Sequence, residues 1–106
     1  MTNQDFNIFL EMILERIKKT LGKKGEEYGI PSSRFSNFED IAEVTKLPLE
    51  EGAFILMLKH FTIITDICMK RYPANKITKD LITEKFGDCI NYLILIEGIL
   101  KEKLKE

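Results

Sequence analysis

Glu84, Asp88 and Asn91 are the residues of this chain best spaced to do chemistry. At about 100° per residue they fall on one line of a helix. Two carboxylates one turn apart can hold magnesium through a few oxygen contacts and leave its other positions to water and substrate phosphates. The line runs on into Leu95 and Ile99, with Tyr92 and Ile94 beside it, so it is expected to pass under other protein as it advances. A second polar line, Lys59, Thr62 and Asp66, lies between Ile55 and Ile63, where Lys59 could reach a phosphate or those carboxylates. Each pattern has a plainer counterpart. Charged residues on helices are usually solvated, Asp88 could pair with a lysine such as Lys85, and Lys59 could snorkel from a mostly buried helix. His60, the only histidine, reads as the edge of a core, and it leaves zinc or Ser-His-Asp chemistry little to draw on.

The segment from Lys23 to Asn37 (KKGEEYGIPSSRFSN) has two glycines, a proline and no sustained period, and it reads as a long ordered loop. Long loops in compact domains are often functional, because their backbone groups must all find partners. Lys24, Glu26, Glu27, Tyr28, Arg34 and Asn37 here stand beside Phe35 and Phe38, a mixture suited to a base and a phosphate. It suits equally a loop whose aromatic rings plug the core while its charges stay outside. The chain has no GxxxxGK[ST], GxGxxG or HExxH run, which excludes P-loop, Rossmann and zincin chemistry.

The elements that must position these residues are helices. Phe6, Leu10, Ile13, Ile17 and Leu21 recur at helical spacing and predict a first helix from Asp5 to Leu21, stopped by Gly22. A short helix comes next, capped by Ser36 or Asn37, with Phe38, Ile41, Ala42 and Val44 facing inward and Lys46 to Pro48 ending it. The central helix is predicted from Leu49 to Arg71, with Ala53, Phe54, Met57, Phe61, Ile64 and Cys68 as one broad face widened by Leu56, Leu58, Ile67 and Met69. After a connector from Tyr72 to Thr78, with Pro73 in it, Thr78 caps a last helix from Lys79 to about Lys103. Its apolar face is Ile82, Phe86, Cys89, Leu93, Ile96 and Leu100. The expected fold is all-α: a small bundle of three long helices and one short one, with a long ordered loop after the first. It forms one domain over residues 1–106, frayed at 1–4 and 104–106. The central helix has more apolar surface than its neighbours need cover, and a homodimer or higher oligomer would bury the surplus.

The 106 residues are 44% hydrophobic, enough to close a core without staples. Sixteen basic and seventeen acidic residues give a net charge of -1, so no global field favours a nucleic-acid backbone or an acidic membrane surface. Neither polymeric nucleic acid nor a membrane is an expected partner. Cys68 and Cys89 lie in apolar helical runs without CxxC spacing and read as small buried hydrophobes. Met1 to Asp5 lack the basic-then-apolar order of a secretory leader, and no apolar run approaches the roughly 20 residues of a membrane span, so the expected location is the cytoplasm.

Taken in order, these segments resemble a known family. Glu84-Lys-Phe-Gly-Asp88-Cys-Ile-Asn91-Tyr92 resembles the acidic-glycine-aspartate stretch of MazG-like all-helical nucleotide pyrophosphatases, which hydrolyse nucleoside triphosphates to monophosphates with magnesium. Lys24-Gly-Glu-Glu-Tyr28-Gly, Phe35-Ser-Asn37-Phe38, Leu58-Lys59-His60 and Gly87-Asp88 with Asn91-Tyr92 are closer still to small phage proteins of that kind, associated with nucleotide modification. The likeness covers roughly residues 10 to 100. It implies a nucleotide as ligand, Glu84 and Asp88 as magnesium ligands, and Lys59 as the residue that neutralises charge; beside the resemblance, Glu26 or Glu27 of the loop is the expected source of a further ligand. Lys24, Tyr28, Arg34, Asn37, Asn91 and Tyr92 would lie around the nucleotide, and a phage protein would work in the host cytoplasm. Lys85 stands where the pyrophosphatases have the first acid of an ExxD pair, and the central helix lacks their ExxE pair. With fewer acids a metal is held less well, so binding without hydrolysis fits the same residues. The rival expectation is a non-catalytic helical protein that binds and modulates a host protein, since fold does not fix function.

Overall fold

The computed structural model describes residues 1–23 and 35–105, and these fall into two compact units, Met1–Ser36 and Asn37–Glu106. The class expected from sequence is what the structure shows: three long helices and one short helix, with no strand among the described residues. The loop between the first two helices lies outside the described residues for most of its length, and with it Lys24, Glu26, Glu27, Tyr28 and Arg34.

The first unit is built on α1 (Asn3–Ile17). Thr2 caps it, the hydroxyl accepting from the Asp5 backbone N–H at 3.0 Å, so Asn3 and Gln4 are helical and the helix starts earlier than its apolar spacing predicts. It does not continue regularly to Leu21: a wider, π-helical turn takes over at Lys18–Lys23 and breaks at Gly22, whose ψ is −111°. Phe6 and Phe9, one turn apart, bring their rings to 6.0 Å.

The second unit holds α2 (Ser36–Thr45), α3 (Leu49–Cys68) and α4 (Lys79–Lys103). Lys46 ends α2 by taking a left-handed φ of 62°, while the Thr45 hydroxyl donates back to the Ile41 carbonyl at 2.7 Å. The Pro48 carbonyl then receives the N–H groups of Glu51 and Gly52, both at 3.1 Å, and starts α3. Ile41 and Ala42 are half-buried as expected, but Val44 is 82% exposed. It lies at the very end of a ten-residue helix, where the chain is already turning away.

The end of α3 also departs from expectation. Lys70 adopts a φ of 61°, and Asp66 gathers the residues beyond the helix: its carbonyl accepts from the N–H groups of Arg71 at 2.7 Å and Tyr72 at 3.1 Å, and its carboxylate accepts from Arg71 Nε at 3.1 Å. These bonds stop the helix at Cys68 instead of Arg71. Cys68 is exposed, against its expected burial, while Cys89 is buried as expected. A one-turn 3₁₀ helix (Ala74–Lys76) carries the connector, and Thr78 caps α4 by accepting from the Leu81 N–H at 3.0 Å, so the last helix has the bounds its sequence predicts.

α3 and α4 pack antiparallel, since Glu50 in the first turn of α3 meets Lys103 in the last turn of α4 while His60 meets Asp88 further along. Ala53, Met57 and Ile99 form the buried centre. α2 lies over the start of α3, where a Cβ on Gly52 would stand 3.4 Å from Ile41 Cγ2. Of the broad face predicted on α3, Phe54, Phe61 and Cys68 are exposed, and of the apolar face predicted on α4 only Cys89 is buried. Both helices are apolar on more than one side. The periodicity reveals the stripes but not which of them the neighbouring helix takes. On α4 it takes the line of Asp88, Leu95 and Ile99, and Ile99 at 1% exposure is the most buried large residue described. The expectation that this line passes under other protein is met. No described helix is long and apolar enough to cross a membrane.

Candidate functional site

The buried run of α4 brings its polar residues to the middle of α3. Asp88 Oδ2 stands 3.4 Å from His60 Nδ1, and the Tyr92 ring, one turn further along, lies under the imidazole with centroids 5.9 Å apart and planes 27° apart. Phe38 of α2 closes on the other edge of Tyr92 at 6.1 Å. A carboxylate, an imidazole and a phenol thus meet between two helices of one unit, with Phe38 of a third beside the phenol.

The electrostatics follow from that enclosure. Burial, and then the neighbouring Asp88 charge, push the Tyr92 phenol above its ordinary range, so at neutral pH it keeps its proton and can donate. His60 Nδ1 is closed off from solvent and has no hydrogen-bond partner among the described residues, its 3.4 Å approach to Asp88 being too long and poorly aligned for one. Asn91 Oδ1 is in the same condition. Buried polar atoms nearly always have a partner, and of the four described side-chain atoms without one, two belong to His60 and to the sequence neighbour of Tyr92. The Asp88 side chain remains 39% exposed and open to an incoming group.

The other sequence-predicted residues do not all converge here. Glu84 is exposed, its Oε1 3.6 Å from Lys85 Nζ, so Lys85 stands by Glu84 and the partner of Asp88 is His60. Lys59 is exposed. Thr62 spends its hydroxyl on the Leu58 carbonyl at 2.8 Å and Asp66 is held by Arg71, so the second polar line does not act as a unit. Asn37 is the second residue of α2, but its side chain lies outside the described residues, as do the loop residues Lys24, Glu27, Tyr28 and Arg34. Sequence reasoning missed the part played by His60, whose single occurrence and apolar neighbours read as core. The available signal was its place directly after Lys59 in the Leu58-Lys59-His60 stretch.

For magnesium, the described residues offer two carboxylates one turn apart on α4, and no group of three or more His, Cys, Asp or Glu that could hold a metal. Such a pair fits an ion that keeps several waters and leans on substrate phosphates, and does not fit an ion caged by protein alone.

Fold and site together define an all-helical protein with a carboxylate–imidazole–phenol cluster at a helix–helix junction. The chain matches no protein-family model, no curated protein and no solved structure.

Proposed function

We infer that this chain is a MazG-like nucleotide-binding protein whose nucleoside phosphate docks beside Asp88. The observation that carries the reading is the close grouping of Asp88, His60 and Tyr92, with buried polar atoms of His60 and Asn91 left without partners among the described residues. A nucleotide offers what such a group would take: a flat ring for an aromatic shelf, and hydrogen-bonding edges for polar atoms that the protein does not satisfy. Asp88 and Glu84 would hold magnesium, which supplies positive charge to a phosphate chain. The phenol of Tyr92, kept protonated, would donate to the ligand, and Lys59 would reach the phosphates from α3. Hydrolysis to monophosphate and pyrophosphate asks for more carboxylates than these two, and Glu27 is the further one the sequence offers.

Thermal shift of the purified protein with nucleoside triphosphates, with and without magnesium, tests the reading, because a ligand that binds only the folded state raises the melting temperature. A magnesium-dependent rise that disappears in Asp88→Ala, with helical content unchanged, is the expected result. Absence of a rise with every common nucleotide would overturn the reading in favour of a helical protein that modulates a protein partner.

A further inference from the structure

The nucleotide reading rests on the second unit and leaves α1 without a task. At about 100° per residue, Phe6, Phe9, Leu10, Ile13, Leu14 and Ile17 fall within one arc of about 140°, interrupted only by Asn3 in the first turn. Glu11 and Glu15 lie on the far side, where Ile8 and Met12 are the apolar exceptions. A stripe this wide normally faces a core. Among the described residues, however, no member of α1 is buried, and Phe6, Phe9, Leu10 and Leu14 are 41 to 51% exposed. The connecting segment 24–34 brings only Tyr28 and Ile30 as large apolar residues, too few to cover six.

Charge is distributed unevenly along the same element. Asp5, Glu11 and Glu15 come first, and Arg16, Lys18, Lys19 and Lys23 follow within eight residues that contain no acid. Residues 16–23 thus carry +4 and the rest of the chain −5, a separation that the net charge of -1 conceals. Lys18 and Lys19 are exposed. By angle, Arg16 and Lys18 stand at the two borders of the apolar arc, where such side chains can lay their stems along it and turn their charged heads outward.

We propose that α1 is an amphipathic anchor that lies in the surface of an anionic lipid bilayer, its apolar arc in the acyl boundary and Arg16, Lys18 and Lys19 at the headgroups. At 1.5 Å per residue its fifteen residues reach about 22 Å, short of the roughly 30 Å of a hydrocarbon core, so the helix lies on the bilayer and does not cross it.

Two observations favour a bilayer over the groove of a partner protein. The seam between two paired helices is narrow, whereas a fluid interface follows the whole arc. The grouped bases are the second. Anionic headgroups attract a basic run beside an apolar face, and apolar insertion and charge together give an attachment that neither gives alone. Phe6 and Phe9, with rings 6.0 Å apart, place bulky apolar surface in the half of the arc away from those bases.

Co-sedimentation of the full chain with vesicles tests the proposal, using phosphatidylcholine alone and phosphatidylcholine mixed with phosphatidylserine. The chain is expected on the mixed vesicles, to be released from them by high salt, and to stay off the neutral ones. Lys18→Gln and Lys19→Gln should each weaken partition about fivefold, the worth of one basic residue near an anionic surface. Leu10→Glu should abolish it. Because the chain contains no tryptophan, Phe9→Trp supplies a single reporter, whose emission should shift to the blue on the mixed vesicles. No binding to the mixed vesicles overturns the proposal in favour of a protein partner for the arc, and equal binding to both kinds overturns the part played by charge. A fall of more than about 4 °C in the melting temperature of Leu10→Glu without vesicles also overturns it, since the arc would then already be covered by protein.

Discussion

Along α4, the side turned to α3 carries Asp88, Tyr92 and Ile99, while the side about a third of a turn away carries Phe86, Leu93 and Leu100. Judged by residue type the second is the natural core and the first a mixed edge. The structure reverses this: Ile99 is 1% exposed and Leu93 55%. Apolar density measures how much surface a helix side would gain by being covered, and nothing in it says which partner does the covering. The polar line is drawn inward because it ends in Leu95 and Ile99, while Asp88 further back keeps 39% of its side chain exposed to solvent. The purely apolar side brings no polar group that needs a partner inside the unit.

The contrast can be broken most decisively by truncation on each side. Ile99→Ala should cost about 2 to 5 kcal/mol of unfolding free energy, the usual range for a large side chain removed from a packed core. Leu93→Ala, measured on dilute protein by the same denaturant titration, should cost less than about 1 kcal/mol, as surface changes do. Equal losses would show that the two sides are not distinct. Cysteine chemistry sharpens the point at a finer scale. Cys89 is the one buried member of the outer stripe, and burial, then the Asp88 charge, raises its thiol above the ordinary range. Cys68 is exposed. A thiol reagent should thus modify one cysteine quickly in native protein and the second only in denaturant, and rapid modification of both would place Cys89 on an open surface.

A smaller effect is expected where the inner sides meet at the end of the pair. The hydrogen bond from Lys103, then a backbone hydrogen bond at Glu50 itself and least the Lys103 charge, hold the Glu50 carboxyl below the ordinary glutamate range. A lowered folded-state value contributes stability that is present above the ordinary range and is lost as pH falls through the lowered value. Lys103→Met should lower stability slightly at neutral pH and leave it unchanged below the lowered value, so that the acid limb flattens. An acid limb identical to that of wild type would show that the pair carries none of it. The smallest effect concerns the turn that returns α4 alongside α3. Lys70 holds a left-handed φ of 61°, a region costly for residues with a Cβ, and Lys70→Gly should stabilise by up to about 1 kcal/mol in a chemical melt. A loss of stability there would mean that the lysine side chain contributes more than its backbone costs.

The sequence told much of the architecture in advance, unevenly. Helix existence was legible throughout, and α4 was legible to its ends because Thr78 is a strong cap and no proline breaks the pattern before Lys103. The end of α3 was not, since it depends on Asp66 capturing two backbone N–H groups and a guanidinium downstream, a choice made by geometry and not by composition. Val44 and Cys68 were misread for a related reason: periodicity assigns a side to a residue but cannot tell that the helix is about to end. At the candidate site, the line through Asp88 and Asn91 was legible from spacing alone. Its meeting with His60 was not, because it requires knowing the register of two antiparallel helices.

The pairing of Glu50 with Lys103 joins residues 53 positions apart in the chain, at the end of the helix pair opposite the covalent connector. A hairpin tied by its turn at one end and by an ion pair at the other has no free tip. Amide exchange in the first turn of α3 and in the last turn of α4 should therefore rise and fall together, as one fraying event instead of two. Acid that protonates Glu50 unlatches both at once, and opening would then travel inward toward His60 and Asp88 from that end.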